Sequence, residues 1–347
     1  MTDMQEKTKI VYAEPQEYFP RSVRKRCRFG EFDPKAFLPR LEAVMLGHAV
    51  GDALGVPVEF CPREELRAQP VLDMRGWGTY SLPKGCWSDD TSMALATLDS
   101  LSQGKLDPKD IMDKFVLWYE NDHYTPTGHT FDVGTTCSYA IERYKNEGMP
   151  TESCGVTGEY ANGNGALMRI HPMTLFAWYS LEEEEWEQAV EQVSALTHAH
   201  PRSVLGCKIY SAVLFALLDS PQKSSIHRAL KQAKDRFSAS PEFAHYARIF
   251  SPNFAKLSEE DIQSSGYVVH TLEAALWCLL TTKTYKACVL KAVNLGDDTD
   301  TTAAVAGGLA AALYGKASIP APWLDLLKKK DYILSLCQKS CQNWQNL

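Results

Sequence analysis

Residues 294–315 read NLGDDTDTTAAVAGGLAAALYG, and the stretch changes character after Thr302. Positions 297–302 hold three carboxylates (Asp297, Asp298, Asp300) and three threonines (Thr299, Thr301, Thr302), and alanine and glycine follow. Asp and Thr are ordinary caps at a helix start, where the first N–H groups are unpaired and partly positive. Capping needs one oxygen from one or two residues. It does not account for Asp298, Asp300 and Thr301 together. The small residues that follow let helix backbones approach closely, so this helix start is expected inside the protein. Buried carboxylates repel one another unless a cation neutralises them.

A second cluster has the same form. WSDDTSM, residues 87–93, stands just before an apolar-periodic run of Met93, Leu95, Ala96 and Leu98. Two hydroxyl–carboxylate clusters, far apart in sequence, can converge around metal ions. All-oxygen donors select hard cations such as Mg²⁺, Mn²⁺ or Ca²⁺ over zinc. Spacing alone leaves a metal site and plain capping as open alternatives.

Helical periodicity recurs along most of the chain. Leu41, Val44, Met45, Leu46, Ala49, Val50 and Ala53 follow the i, i+3, i+4, i+7 rule, as do Leu205, Ile209, Val213, Leu214 and Leu217. Leu272, Ala275, Leu276, Leu279 and Leu280 repeat it. Alternating strand patterns are absent. The expectation is an all-α globule of roughly a dozen helices, with loops at 61–88, 121–132, 147–165 and 250–266. One domain is expected over residues 37–347. Residues 1–36 read instead as an extended arm, with Pro15, Pro20, Pro34 and the basic run RSVRKRCR at 21–28.

A chain of 347 residues that is 45% hydrophobic and 23% charged has a globular composition. Its net charge of −7 argues against a nucleic-acid binder. No run approaches the apolar length of a membrane span, and MTDMQEKTKIVYAEPQ lacks the apolar core of a secretory signal. Ten scattered cysteines without a CxxC pair read as reduced, mostly buried thiols of a cytoplasmic protein.

Seven motifs in order then resemble the ADP-ribosylglycohydrolase family: GHAVGDALGVPVEF (47–60), LPKGCWSDDTSMALATLDSL (82–101), TGHTFDVG (127–134), NGNGALMRIHP (162–172), LTHAHP (196–201), SGYVVHTLEAALWC (265–278) and NLGDDTDTTAAVAG (294–307). The resemblance implies a compact, orthogonal all-α fold with a dinuclear metal cleft. Carried over residue by residue, it implies metal positions at Ser88, Asp89, Asp90, Asp298, Asp300 and Thr301, holding two Mg²⁺ or Mn²⁺ ions. Asp90 and Asp300 would also serve catalysis. Asp297 falls where relatives often carry Gly and is not counted. Ser88 stands where Thr is more usual, with the hydroxyl kept. Gly163, Asn164, Gly165 and Met168 would line the pocket for the diphosphate and ribose, with His198 near the phosphates. His200 reads as a local structural residue, and Asp52 as a cap or a support behind the ligands. Glu59 and Asp132 are the acid/base candidates.

The activity implied is metal-dependent hydrolysis that releases ADP-ribose from a modified protein, from arginine first. Serine-linked or other acceptors are the alternative. A second alternative concerns the arm. Tyr12, Tyr18, Phe19, Val23, Phe29 and Phe32, beside Arg21, Arg24, Lys25, Arg26 and Arg28, suit docking into an ADP-ribosyltransferase toxin, as for an immunity protein. No nucleic-acid or membrane partner is expected.

Overall fold

The computed structural model describes residues 34–347 except Glu183 and Asn346; residues 1–33, most of the arm, lie outside the described residues. Fifteen α-helices follow in order: α1 Pro34–Gly55, α2 Arg63–Ala68, α3 Asp89–Leu101, α4 Pro108–Asn121 and α5 Thr135–Asn146. Next come α6 Thr151–Cys154, α7 His171–Ser180, α8 Trp186–Ala195, α9 Pro201–Asp219 and α10 Lys223–Phe237. The last five are α11 Val268–Thr281, α12 Tyr285–Val293, α13 Thr299–Tyr314, α14 Ala321–Leu326 and α15 Lys330–Trp344. Among the described residues there is no sheet, only three isolated bridges. The all-α expectation holds. The helix count exceeds the expected dozen because the loop 61–88 contains α2 and the loop 147–165 contains α6, each too short for apolar periodicity to reveal. Helix α1 also begins at Pro34, inside the segment assigned to the arm.

Helix α13 is the axis of the fold. It packs against α1, α9, α11 and α12, and all but two of its residues are buried. The alanine–glycine run makes this possible, because it carries no side chain large enough to hold a neighbour away. Its main partner is α1, where Gly47, Gly51 and Gly55 recur every fourth residue on one face. A Cβ on Gly51 would lie 2.1 Å from the Ala303 carbonyl oxygen, and one on Gly55 2.3 Å from the Asp300 backbone nitrogen. One hydrogen bond crosses the contact, Thr299 Oγ1 donating to the Gly55 carbonyl (2.9 Å), and Tyr285 OH at the start of α12 donates to the Gly47 carbonyl (2.7 Å). The expected close approach therefore occurs, and its partner is the first helix.

Helices α1 and α9 are long and apolar enough to cross a membrane by length and composition, against the expectation that no run would qualify. They are core helices: 100% and 72% of those windows are buried inside the protein. Of the nine described cysteines, eight are buried and Cys61 is half-buried, and none forms a disulfide; Cys27 lies outside the described residues.

Candidate active site

Close packing of α1 on α13 sets the second acidic cluster beside the first. Asp298 occupies the N-cap position of α13 without capping it through its side chain, and Asp300 and Thr301 lie in the first turn. Ser88 caps α3, its hydroxyl accepting from the Asp90 N–H (3.4 Å), and Asp89 and Asp90 open that helix. The two helix starts meet directly, since Thr301 Oγ1 donates to Asp90 Oδ2 (3.3 Å) and Ser88 Oγ donates to the same oxygen (3.0 Å). The positive ends of both helices offset part of the carboxylate repulsion. Asp297 is exposed, at φ 59°, and is in neither the carboxylate trios nor the cleft lining.

Arg63 holds the approach to α13. Its guanidinium donates to the carbonyls of Leu295, Glu259 and Ile262, at 2.6 Å each. Asp52 of α1 supports the first cluster. One of its oxygens accepts from the Ser88 N–H (2.9 Å), the other from the Thr91 N–H (3.1 Å) and hydroxyl (2.6 Å). Both oxygens are engaged in orienting α3, as befits a support behind the ligands.

Asp300 is the hub. Its carboxylate forms one trio with Asp52 and Asp90 and another with Glu59 and Asp132, and in each trio the oxygens lie within 4.8 Å of one another. Both oxygens of Asp300, Oδ1 of Asp90 and Oδ1 of Asp298 are buried without a hydrogen-bond partner. Buried polar atoms are normally satisfied. Four orphaned carboxylate oxygens at one point, all hard donors, fit divalent cations. Burial first, then the neighbouring carboxylates, push Asp89, Asp90 and Asp300 well above the ordinary carboxylate range. A bound cation would offset both the burial and the mutual repulsion. Asp52 is raised to about 7 by burial, against the hydrogen bonds it accepts.

A cleft of about 200 Å³ opens at the cluster, and its lining includes Glu59, Asp89, Asp132, Asp298 and Thr301. Asp90 and Asp300, 0% and 1% exposed, form the floor beneath. Tyr80 OH donates to Glu59 Oε2 (2.7 Å). Burial, followed by the charge of Asp132, raises Glu59 to about 9, and the two carboxyl groups each bring an oxygen within 4.8 Å of the other.

The same cleft is lined by Gly163, Asn164, Gly165, Met168 and His198, every residue expected of the pocket. Asn164 has a different task from the one its motif suggested. Its backbone N–H donates to the Gly266 carbonyl (2.9 Å), so that N–H is not free for a phosphate. Its side-chain amide donates to Asp298 Oδ2 (2.8 Å) and Thr271 Oγ1 (2.9 Å), which ties the glycine turn to the acidic cluster. Gly165 is required by space, because a Cβ there would lie 2.8 Å from both Cys137 Sγ and His198 Cε1. His200 is structural as expected: its Nδ1 accepts from the Arg202 N–H (3.1 Å) at the start of α9.

The sequence reading missed Tyr80 and the first turn of α5. Gly134, Thr135, Thr136 and Cys137 complete the cleft wall. The signal was present in Gly134-Thr135-Thr136, a glycine before two hydroxyls at a helix start, directly after the motif that holds Asp132.

The ADP-ribosylglycohydrolase family profile matches residues 33–346. The chain is 35% identical over 311 residues to the ADP-ribosylarginine hydrolase Tri1 of Pseudomonas putida (strain GB-1), covering 88% of this chain and 79% of that protein. It is 35% identical over 295 residues to the ADP-ribosyl-[dinitrogen reductase] glycohydrolase of Rhodospirillum rubrum, covering 84% of this chain and 91% of that one. A solved ADP-ribosylglycohydrolase-related protein complex superposes with a TM-score of 0.75 at 30% identity, over 89% of this chain and 99% of that chain. An all-helical fold built on α1 and α13, two acidic helix starts meeting under one cleft, and a profile spanning almost the whole chain agree: this protein belongs to the ADP-ribosylglycohydrolase family.

Proposed function

We propose that this enzyme hydrolyses the N-glycosidic bond between ADP-ribose and arginine in modified proteins, using two Mg²⁺ or Mn²⁺ ions. The observation that carries the reading is the set of orphaned oxygens of Asp90, Asp298 and Asp300 at a cleft whose lining includes the glycine turn Gly163–Gly165. The similarity to an ADP-ribosylarginine hydrolase supports the acceptor.

Ser88, Asp89, Asp90, Asp298, Asp300 and Thr301 are the residues to hold the cations, which when bound supply fixed positive charge that orients hydroxyls of the distal ribose. The remaining chemistry belongs to the protein. Glu59 and Asp132 each bring a carboxylate oxygen within 4.8 Å of the other, closer than the roughly 5–9.5 Å separations at which paired glycosidase carboxylates flank a sugar. They act as one proton-handling unit on one side of the cleft. Positive charge grows at C1″ as the C1″–N bond breaks, and the bond's electron pair leaves with the nitrogen. The departing guanidinium leaves as neutral guanidine, which is basic enough to take up a proton from solvent without a positioned acid. Water adds to C1″ and gives its proton to Asp132, and the pair then releases that proton to solvent, which balances the one the guanidine takes up. Assistance of this kind is worth about 10²–10⁴ in rate.

The test is incubation with proteins ADP-ribosylated on arginine or on serine, with and without Mg²⁺ or Mn²⁺, measuring released ADP-ribose. Metal-dependent release from arginine is expected. Release from serine alone would overturn the acceptor, and equal release after chelation would overturn the metal site. The unpaired thiols of the described cysteines support a cytoplasmic setting. For residues 1–33 the proposal is docking of an ADP-ribosyltransferase toxin, supported by their aromatic and arginine content. Deleting residues 1–30 is expected to spare hydrolysis and abolish toxin binding, and unchanged binding would refute it.

A further inference from the structure

Arg169 is fully buried, and among the described residues no carboxylate pairs with it. Its Nη1 donates to the Val193 carbonyl (3.1 Å) and its Nη2 to Thr197 Oγ1 (2.7 Å), while its Nε has no partner. The guanidinium carbon sits 4.7 Å from the centre of the Phe115 ring. A buried charge without a counter-ion is costly, so its one side-chain acceptor, Thr197, calls for explanation.

Arginine has only donors, so Thr197 Oγ1 must accept from it. The single hydroxyl proton of Thr197 is then left to donate elsewhere. His198 Nδ1 lies 2.8 Å away. The Cys137 thiol also lies against Thr197, but a neutral thiol is a weak acceptor beside an imidazole nitrogen. Backbone contacts clamp this segment, since the Val156 N–H donates to the Thr197 carbonyl and the Ala199 N–H to that of Val156, both at 2.9 Å. With Nδ1 accepting, the proton of a neutral imidazole sits on Nε2. That atom faces the glycine wall, 3.5 Å and 3.3 Å from where a Cβ on Gly163 or Gly165 would stand, and among the described residues nothing hydrogen-bonds it.

We infer that Arg169, acting through Thr197, is a positioning residue that locks His198 as its Nε2–H tautomer and so makes it a hydrogen-bond donor for the diphosphate of ADP-ribose. Burial, with the Arg169 charge behind it, keeps the ring neutral, lowering its pKa to about 3. A neutral histidine with the opposite tautomer would turn a lone pair towards the phosphates. In a cleft otherwise walled by Glu59, Asp89, Asp132 and Asp298, the buried cation marks the end where the anionic part of the ligand belongs. The ligand named here rests on the ADP-ribose reading above; the tautomer does not.

The full chain, labelled with ¹⁵N-histidine, reports the tautomer directly, the His198 signals being identified by their loss in His198→Gln. The expected free-enzyme spectrum at neutral pH shows Nε2 protonated and Nδ1 as a hydrogen-bonded acceptor. Thr197→Val should mix the tautomers and weaken ADP-ribose binding at least about tenfold, and Thr197→Ser should restore both. Protonated Nδ1 in the wild type overturns the inference. So does a folded Thr197→Val protein whose tautomer changes while its affinity does not. If Thr197→Val fails to fold, the wild-type and Thr197→Ser spectra still decide the tautomer. A wild type that carries Nε2–H but binds no ADP-ribose would refute the ligand and support the lock.

Discussion

Asp300→Asn separates the two tasks of the acidic cluster, because Asp300 belongs to both trios and neither of its oxygens has a protein partner. At the 4.8 Å limit of those trios, two like charges in a medium of effective dielectric about 20 repel by about 3 kcal/mol. Asn in place of Asp300 removes that repulsion, or the proton uptake that relieves it, and breaks no hydrogen bond. The metal-free variant should therefore unfold at a temperature no lower than the metal-free wild type. Metal binding should move the other way. A cation at a hundred times its Kd stabilises the wild type by about 2.7 kcal/mol, a shift of about 5 °C for a fold of this size. Losing a charge–charge attraction of about 3 kcal/mol weakens the cation at least about a hundredfold. At the same concentration roughly 0.4 kcal/mol would remain, a shift below about 1 °C. Thermal denaturation with and without Mg²⁺ or Mn²⁺ reads both terms. A variant whose metal-induced shift equals that of the wild type would refute Asp300 as a ligand. A metal-free variant several degrees less stable would refute the account of repulsion.

The pH dependence of the metal-free protein follows from the same carboxyl groups. With Glu59 raised to about 9, the folded state holds more protons than the unfolded state between pH 7 and 9, so stability should fall as pH rises, by about 1.4 kcal/mol per pH unit for that proton; Asp90 and Asp300, also raised, act in the same direction. Buried His48 and His198, both lowered to about 3, act only below pH 6.5 and do not oppose this window. Thermal melts across pH 7–9 test it; a flat or rising profile without metal would contradict it, and saturating Mg²⁺ should flatten the fall. Gly51→Ala should destabilise the fold by about 1–3 kcal/mol or more, because its Cβ would meet the Ala303 carbonyl at 2.1 Å. Alanine's helix propensity would favour the variant by about 1 kcal/mol, so an unchanged or raised urea midpoint would show that the α1–α13 contact yields more easily than its geometry implies.

The sequence by itself determined the helical class and both acidic clusters. Period-3.6 patterns in 41–53, 205–217 and 272–280 became α1, α9 and α11. Ser88–Asp90 and Asp298–Thr301 were legible because each sets more oxygen donors at a helix start than capping uses. Tertiary structure decided which elements meet. The glycines of α1 matter only because α13 lies against them, a pairing between chain segments some 250 residues apart that local periodicity does not encode. Asn164 looked like part of a phosphate turn, yet its amide is spent on Asp298 and Thr271. Arg169 drew no notice in GALMR, and Thr197 none in LTHAHP. Their chemistry exists only where the fold excludes water, brings a cation within 2.7 Å of a hydroxyl, and leaves that hydroxyl's proton to a histidine 2.8 Å away.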